Sequence, residues 1–142
     1  MKLFEWDDSL SVNIVSIDKE HKTLLDMIND YYSKIHAIHN GFSTMSLKDL
    51  RIELIANMKH YATTHFKTEE DYFEKYSYPE FKEHKKEHDD FVEKVIDLED
   101  RLESGRLILT TELTDFLKEW LLDHIRGSDQ KYSDFLLSKG AK

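Results

Sequence analysis

The sequence of 142 residues contains no cysteine. That excludes disulfides, iron–sulfur clusters and thiolate zinc sites. One proline and four glycines are a low count of breakers. No apolar run approaches the roughly 20 residues needed to cross a bilayer. The opening, MKLFEWDD, lacks the apolar stretch of a secretory signal. Strict two-residue alternation of apolar and polar positions is absent, which argues against strands. Positive charge is in deficit too. The formal net charge is −9, so nucleic acid and anionic membrane surfaces are not expected partners. The expectation is a soluble cytoplasmic protein with no membrane insertion, monomeric because no large unexplained apolar patch stands out.

What remains is helical. Hydrophobic residues make up 39% and charged residues 35%, and at helical spacing the charges read as solvated helix faces around one globular core. The few breakers divide the chain: Asn40-Gly41, Pro79, Ser104-Gly105 and Gly127-Ser128. Between them the spacing predicts helices over about 18–39, 46–76, 79–104 and 110–126, with a shorter one over about 129–138. Asp18 suits the first N-cap, and Ser46 with Asp49 approximates a capping box for the second. Pro79 suits the first turn of the third helix, and the fourth starts near Thr110 and Thr111.

The expected inner faces carry Leu24, Leu25, Ile28, Tyr32, Ile35 and Ile38, then Leu50, Leu54, Met58, Tyr61, Tyr72 and Tyr76. Phe81, Phe91, Val95, Leu98 and Leu102 follow, then Leu113, Phe116, Leu117, Trp120 and Leu121, with Tyr132, Phe135 and Leu136 in the short segment. Short connections make consecutive helices antiparallel neighbours. The predicted fold is all-α: an antiparallel up-down-up-down four-helix bundle with an N-terminal arm, 1–17, and a short C-terminal helix, all in a single domain over 1–142. Phe4, Trp6, Val12, Ile14 and Val15 of the arm are expected to lie along the bundle.

Five of the eight histidines, His21, His65, His84, His88 and His124, fall on these inner seams. Bundle interiors are normally aliphatic, and a buried imidazole needs a partner. One alone is more often a hydrogen-bonded core residue, but five on four helices point to a metal centre. In His84-Lys-Lys-Glu-His88 the two imidazoles sit one turn apart and can chelate one ion. In His65-Phe-Lys-Thr-Glu69 the same step pairs an imidazole with a carboxylate. Glu70 is rotated about 140° from His65, so Glu69 is the expected donor and Glu70 a solvated neighbour. His124 and Asp129 are five residues apart, which a straight helix does not align. A break or bulge at Gly127-Ser128 would bring Asp129 back, while the competing reading has Asp129 cap the last helix.

The donors also match in depth. Early positions on the first and third helices and late positions on the second and fourth place all of them near one end of the bundle. Five imidazoles and two carboxylates are too many donors for one ion, and two ions bridged by Glu69 and Asp129 accommodate all seven. Mixed nitrogen and carboxylate donors suit iron, manganese, cobalt or zinc without choosing among them. His39 shares the azimuth of His21 but lies about 27 Å along the helix, too far to join. His36 and His60 fall off the seams. Tyr132, three residues past Asp129, reads as a core residue or as a hydrogen-bond partner near the site.

These residues carry a resemblance. His21, HFKTE at 65–69, HKKEH at 84–88 and HIRGSD at 124–129, with Trp6 and DDSLSV, IDKEH at 17–21, YPEFKEH at 78–84 and Trp120, resemble the hemerythrin family in its single-domain bacterial form (bacteriohemerythrin). The similarity runs over nearly the whole chain with no departure at a ligand position. It implies a cofactor of two iron ions with an oxo or hydroxo bridge. His84, His88 and His124 would bind one iron and His21 and His65 the other, with Glu69 and Asp129 bridging. The second iron would keep an open position, where dioxygen binds reversibly. Leu24, Phe66, Trp120 and Ile125 match the family's oxygen pocket.

The resemblance thus implies an oxygen carrier rather than an enzyme, serving storage, delivery or buffering, with an oxygen-consuming enzyme as a possible recipient. The alternatives are a di-iron enzyme or stress protein acting on peroxide or nitric oxide, an oxygen or redox sensor, and an iron donor. None of the five seam histidines follows a glutamate by three residues, which argues against the Glu-x-x-His oxidase pattern.

Overall fold

The computed structural model describes residues 5–105 and 110–142. Phe4 and the side chain of Leu121 lie outside what it describes. Among the described residues there are five α-helices and no strand: α1 (Val15–His39), α2 (Leu47–Tyr76), α3 (Phe81–Glu103), α4 (Thr110–Asp123) and α5 (Gln130–Ser138). They form an all-α four-helix bundle in which each long helix packs antiparallel to the next. None of the helices is long and apolar enough to cross a membrane.

α1 starts at Val15, three residues before the expected Asp18, and Ile14 holds the cap position in extended conformation. Asp18 is therefore not the N-cap. It sits in the first turn and reaches back, accepting hydrogen bonds from the Val12 N–H at 2.8 Å and the Ser11 hydroxyl at 2.5 Å. A carboxylate in a first turn is also favoured by the helix dipole. Its net effect is to tie the arm to α1. Gly41, at φ +76°, takes the left-handed turn that leaves α1, which a residue with Cβ resists.

α2 begins as expected, with the Ser46 hydroxyl accepting from the Asp49 N–H at 3.0 Å. It stops at Ser77, which is left-handed at φ 55°, and the Tyr78 N–H returns to the Phe73 carbonyl at 2.9 Å. That six-residue closure is the helix-terminating geometry after which proline is common. Pro79 accordingly lies in the turn between helices rather than in the first turn of α3. At this same end of the bundle α4 does not break. It runs into a π-helical turn, His124–Asp129, and on into α5.

The main core joins Leu24, Leu25, Ile28, Ile35, Leu54, Met58, Val95, Leu98, Leu113 and Leu117. Tyr31 is buried in it and Tyr32 only half-buried, the reverse of the expected pair; Phe73 is likewise buried in place of Tyr72. In both cases two adjacent aromatics compete for one seam, and periodicity alone does not choose. A second apolar cluster forms at the donor end, where Val12, Ile14 and Ile17 meet Phe73, Tyr78, Tyr132 and Leu136. The Ser133 hydroxyl donates to the Val12 carbonyl at 2.8 Å and fixes the arm there. Val15 does not join the arm's other apolar residues; it is 76% exposed.

Candidate metal centre

The structure brings all seven expected donor residues together at one end of the bundle. His21 comes from α1, His65 and Glu69 from α2, His84 and His88 from α3, and His124 and Asp129 from the two ends of the π turn. None is more than 3% exposed, and Glu69 and Asp129 are fully buried. Two groups result, each with its donor atoms within 4.8 Å of one another: Glu69, His84, His88 and His124, and His21, His65, Glu69 and Asp129.

Both carboxylates span the two groups. Glu69 Oε1 lies 2.6 Å from His65 Nε2 and 3.6 Å from His88 Nε2, while Oε2 lies 3.5 Å from His84 Nε2. Asp129 Oδ2 lies 3.1 Å from His21 Nε2, and Oδ1 lies 3.1 Å from His84 Nε2 and 3.0 Å from His124 Nε2. These approaches are close but misaligned. Among the described residues, all four carboxylate oxygens, and Nε2 of His21, His84, His88 and His124, are buried without a hydrogen-bond partner. Such orphaned groups are rare in folded proteins because leaving them unpaired is costly. A pair of cations among them would meet every one, so the residues present fit a dinuclear metal site.

The π turn answers the question left open at Asp129. Its backbone there is right-handed helical, and its side chain makes no capping bond. It is a core residue delivered by an extra residue in the helix, not a cap. Gly127 and Ser128 lie inside that turn, where the bulge was expected.

The electrostatics follow from this packing. Burial alone would lower the His65 pKa, but the Glu69, Glu20 and Asp129 carboxylates outweigh it and hold it at about 9. His84 is likewise lowered by burial, and raised further by Asp129 and Glu69, to about 9. His124 reaches about 10 through Asp129, Glu87 and Glu69 against the same desolvation. Burial would raise both carboxylates, and for Asp129 the Glu69 charge adds to this, but the surrounding imidazoles win and hold both far below the usual range. Without metal, the two ionised carboxylates therefore favour the protonated forms of His65, His84 and His124.

Three glutamates support the histidines from outside. Glu20 Oε1 lies 2.9 Å from His65 Nδ1, and Glu70 Oε2 lies 2.9 Å from His88 Nδ1. Glu87 Oε1 lies 3.6 Å from His124 Nδ1 and accepts from the Ser128 hydroxyl at 2.6 Å. Glu70 is thus not a solvated bystander: its carboxylate is 23% exposed and bound to an inner histidine. An acceptor on Nδ1 fixes the tautomer and ring orientation that leave Nε2 free for a metal. The sequence does carry a signal for these three. Each is the chain neighbour of a donor (His21, Glu69, His88), so it flanks the seam and reaches the histidine of the next helix. Among the described residues His21 Nδ1 has no such partner.

Apolar residues close the inner side. Phe66 lies flat on His88, with ring centroids 3.8 Å apart and 4° between planes, and Trp120 stacks on His124 at 4.4 Å. Leu24 and Ile125 are buried in the same core, against which Trp120 packs half-buried. Tyr132 is fully buried 5.4 Å from the His84 ring, its hydroxyl without a hydrogen bond among the described residues. Burial and the Asp129 and Glu69 charges push its pKa well above the ordinary value, so it stays a phenol. His39 and His60 are exposed, and His36 packs edge-on against Tyr32, all away from the cluster.

Antiparallel helices that enclose two imidazole–carboxylate groups sharing one glutamate define a class of bundle that holds cations in its core. A family model, the hemerythrin HHE cation binding domain, matches residues 12–136, and the chain belongs to that family. Among its relatives is a bacteriohemerythrin of Stenotrophomonas maltophilia, 32% identical over 94% of this chain and 82% of its own. A bacteriohemerythrin of Clostridium acetobutylicum is 32% identical over 93% of this chain and all of its own. A crystal structure of wild-type hemerythrin superposes with a TM-score of 0.80 at 27% identity, covering 94% of this chain and 98% of that one.

Proposed function

We propose that this chain binds dioxygen reversibly at two iron ions held by His21, His65, Glu69, His84, His88, His124 and Asp129, as an oxygen store, carrier or buffer. The observation that carries the reading is the pair of buried carboxylates, each reaching imidazoles of both donor groups while lacking hydrogen-bond donors of its own. Membership of the family, and relatives that carry the name bacteriohemerythrin, support it. Two irons bound there would supply the electrons that reversible dioxygen binding needs.

The chain's own residues do the rest. Three imidazoles would serve one ion and two the other, so the donor set would leave room on the His21–His65 side. Glu20 and Glu70 hold His65 and His88 with Nε2 turned inward. Phe66 and Trp120 fix ring rotation by stacking, and with Leu24 and Ile125 they make the inner side a dry apolar pocket. Excluding water discourages the proton delivery that would turn binding into irreversible chemistry. Tyr132 and Tyr61 are held as phenols by burial and by the nearby carboxylates, so neither is a ready base.

The test against an enzymatic role is steady-state oxygen consumption. With ferrous protein and an excess of reductant, a carrier takes up one portion of oxygen and stops. Continued consumption proportional to protein concentration would replace this reading with an oxidase or peroxidase one.

A further inference from the structure

A π turn is rare and is less favourable than regular α-helix, so something outside the helix has to favour it here. Gln130 Nε2 reaches the Ile125 carbonyl at 3.3 Å within the turn. From outside, one α3 carboxylate faces both ends. Glu87 Oε1 accepts the Ser128 hydroxyl at 2.6 Å, next to Asp129, and stands 3.6 Å from Nδ1 of His124, which opens the turn. The second distance is longer than a hydrogen bond. His124 Nδ1 is, however, buried and makes no hydrogen bond among the described residues. A metal on Nε2 places the ring proton on Nδ1, and metal-bound histidines nearly always pass that proton to a carboxylate, carbonyl or water. Glu87 is the carboxylate in place to take it.

We infer that Glu87 is the positioning residue for Asp129: by holding the Ser128 hydroxyl and the His124 ring together, it fixes the π turn that carries Asp129 between the two donor groups. This rests on the dinuclear reading of the site. Glu87 is in neither donor group and is half-buried, so removing it does not empty the core. Its action runs through two contacts, one at each end of the turn.

The experiment is titration of metal-free protein with Co²⁺, read by the visible d–d spectrum, whose intensity and splitting report coordination. Glu87→Ala should weaken Co²⁺ binding about 10- to 100-fold, the usual range for removing an outer partner, and alter the spectrum at unchanged helical circular dichroism. Ser128→Ala should give part of that loss. The double variant should bind no more weakly than Glu87→Ala, because Ser128 acts through Glu87. Binding by Glu87→Ala that matches the unaltered chain overturns the inference, as do losses that multiply in the double variant. If Glu87→Ala does not fold, Ser128→Ala decides alone, and unchanged affinity and spectrum overturn the inference. An unaltered chain that takes up fewer than two Co²⁺ instead overturns the dinuclear reading, and this inference with it.

Discussion

His124 Nε2 stands 3.0 Å from Asp129 Oδ1, although five residues separate them. In a regular α-helix that step turns the second side chain well off the first. The π turn absorbs the extra residue and keeps both pointing into the core. Asp129 is thereby the carboxylate that meets His21, His84 and His124 at once.

Asp129→Ala should leave helix content near that of the unaltered chain, because Asp129 caps nothing and the apolar clusters on either side remain. It should lower retained metal below two ions per chain after dialysis. Elemental analysis of loaded protein checks this. Full retention would remove Asp129 from the site.

The protonation of His65, His84 and His124 gives metal-free protein a pH dependence that loaded protein should lack. His65, His84 and His124 have pKa values raised from 6.5 to about 9, 9 and 10. A raised folded-state pKa contributes stability that is complete below 6.5 and is lost as pH rises through the folded value. The Tm of metal-free protein should therefore fall between about pH 6.5 and pH 10. Metal replaces those protons, so loading near pH 7 should release protons and the loaded protein should lack this decline. A metal-free Tm flat across that window would contradict the account.

Much of this was legible in the sequence, and the gaps have specific causes. The four seams and the turns at Gly41 and Gly105 followed from periodicity and from the left-handed turns that glycine favours. The Asp129 bulge followed from a five-residue step interrupted by glycine. Asp18 and Pro79 misled because each residue type suits two neighbouring roles: Asp18 ties the arm from inside a first turn, and Pro79 follows a left-handed stop instead of starting a helix. The adjacent aromatics Tyr31 and Tyr32, and Tyr72 and Phe73, were decided by tertiary packing. Glu70 was misjudged because rotation about its own helix says nothing of the next helix, where His88 waits.

Phe66 packs face to face on His88 and is 5% exposed. Phe66→Ala should cost about 3–5 kcal/mol of stability, the range for truncating a core phenylalanine. It should also admit water beside His88, so that loaded protein oxidises irreversibly faster than the unaltered chain. Denaturant unfolding and the decay of the oxygenated spectrum check the two effects separately. A stability loss with unchanged decay would reduce Phe66 to packing.

His65 serves only the donor group that has two imidazoles. His65→Ala should lose the ion of that group and keep the other, with folding preserved by the aliphatic seam. The expected readouts are about half the metal per chain and no oxygen-dependent spectrum. Failure to fold even with metal present would contradict this division of the site.

The most direct measurement is an anaerobic one. Load the chain with ferrous iron under nitrogen, count iron per chain, admit oxygen, and follow the visible spectrum through repeated evacuation. The account predicts two irons per chain, one dioxygen taken up per pair, and a band that disappears under vacuum and returns with oxygen. Fewer than two irons, or a spectrum that changes once and does not reverse, would contradict it.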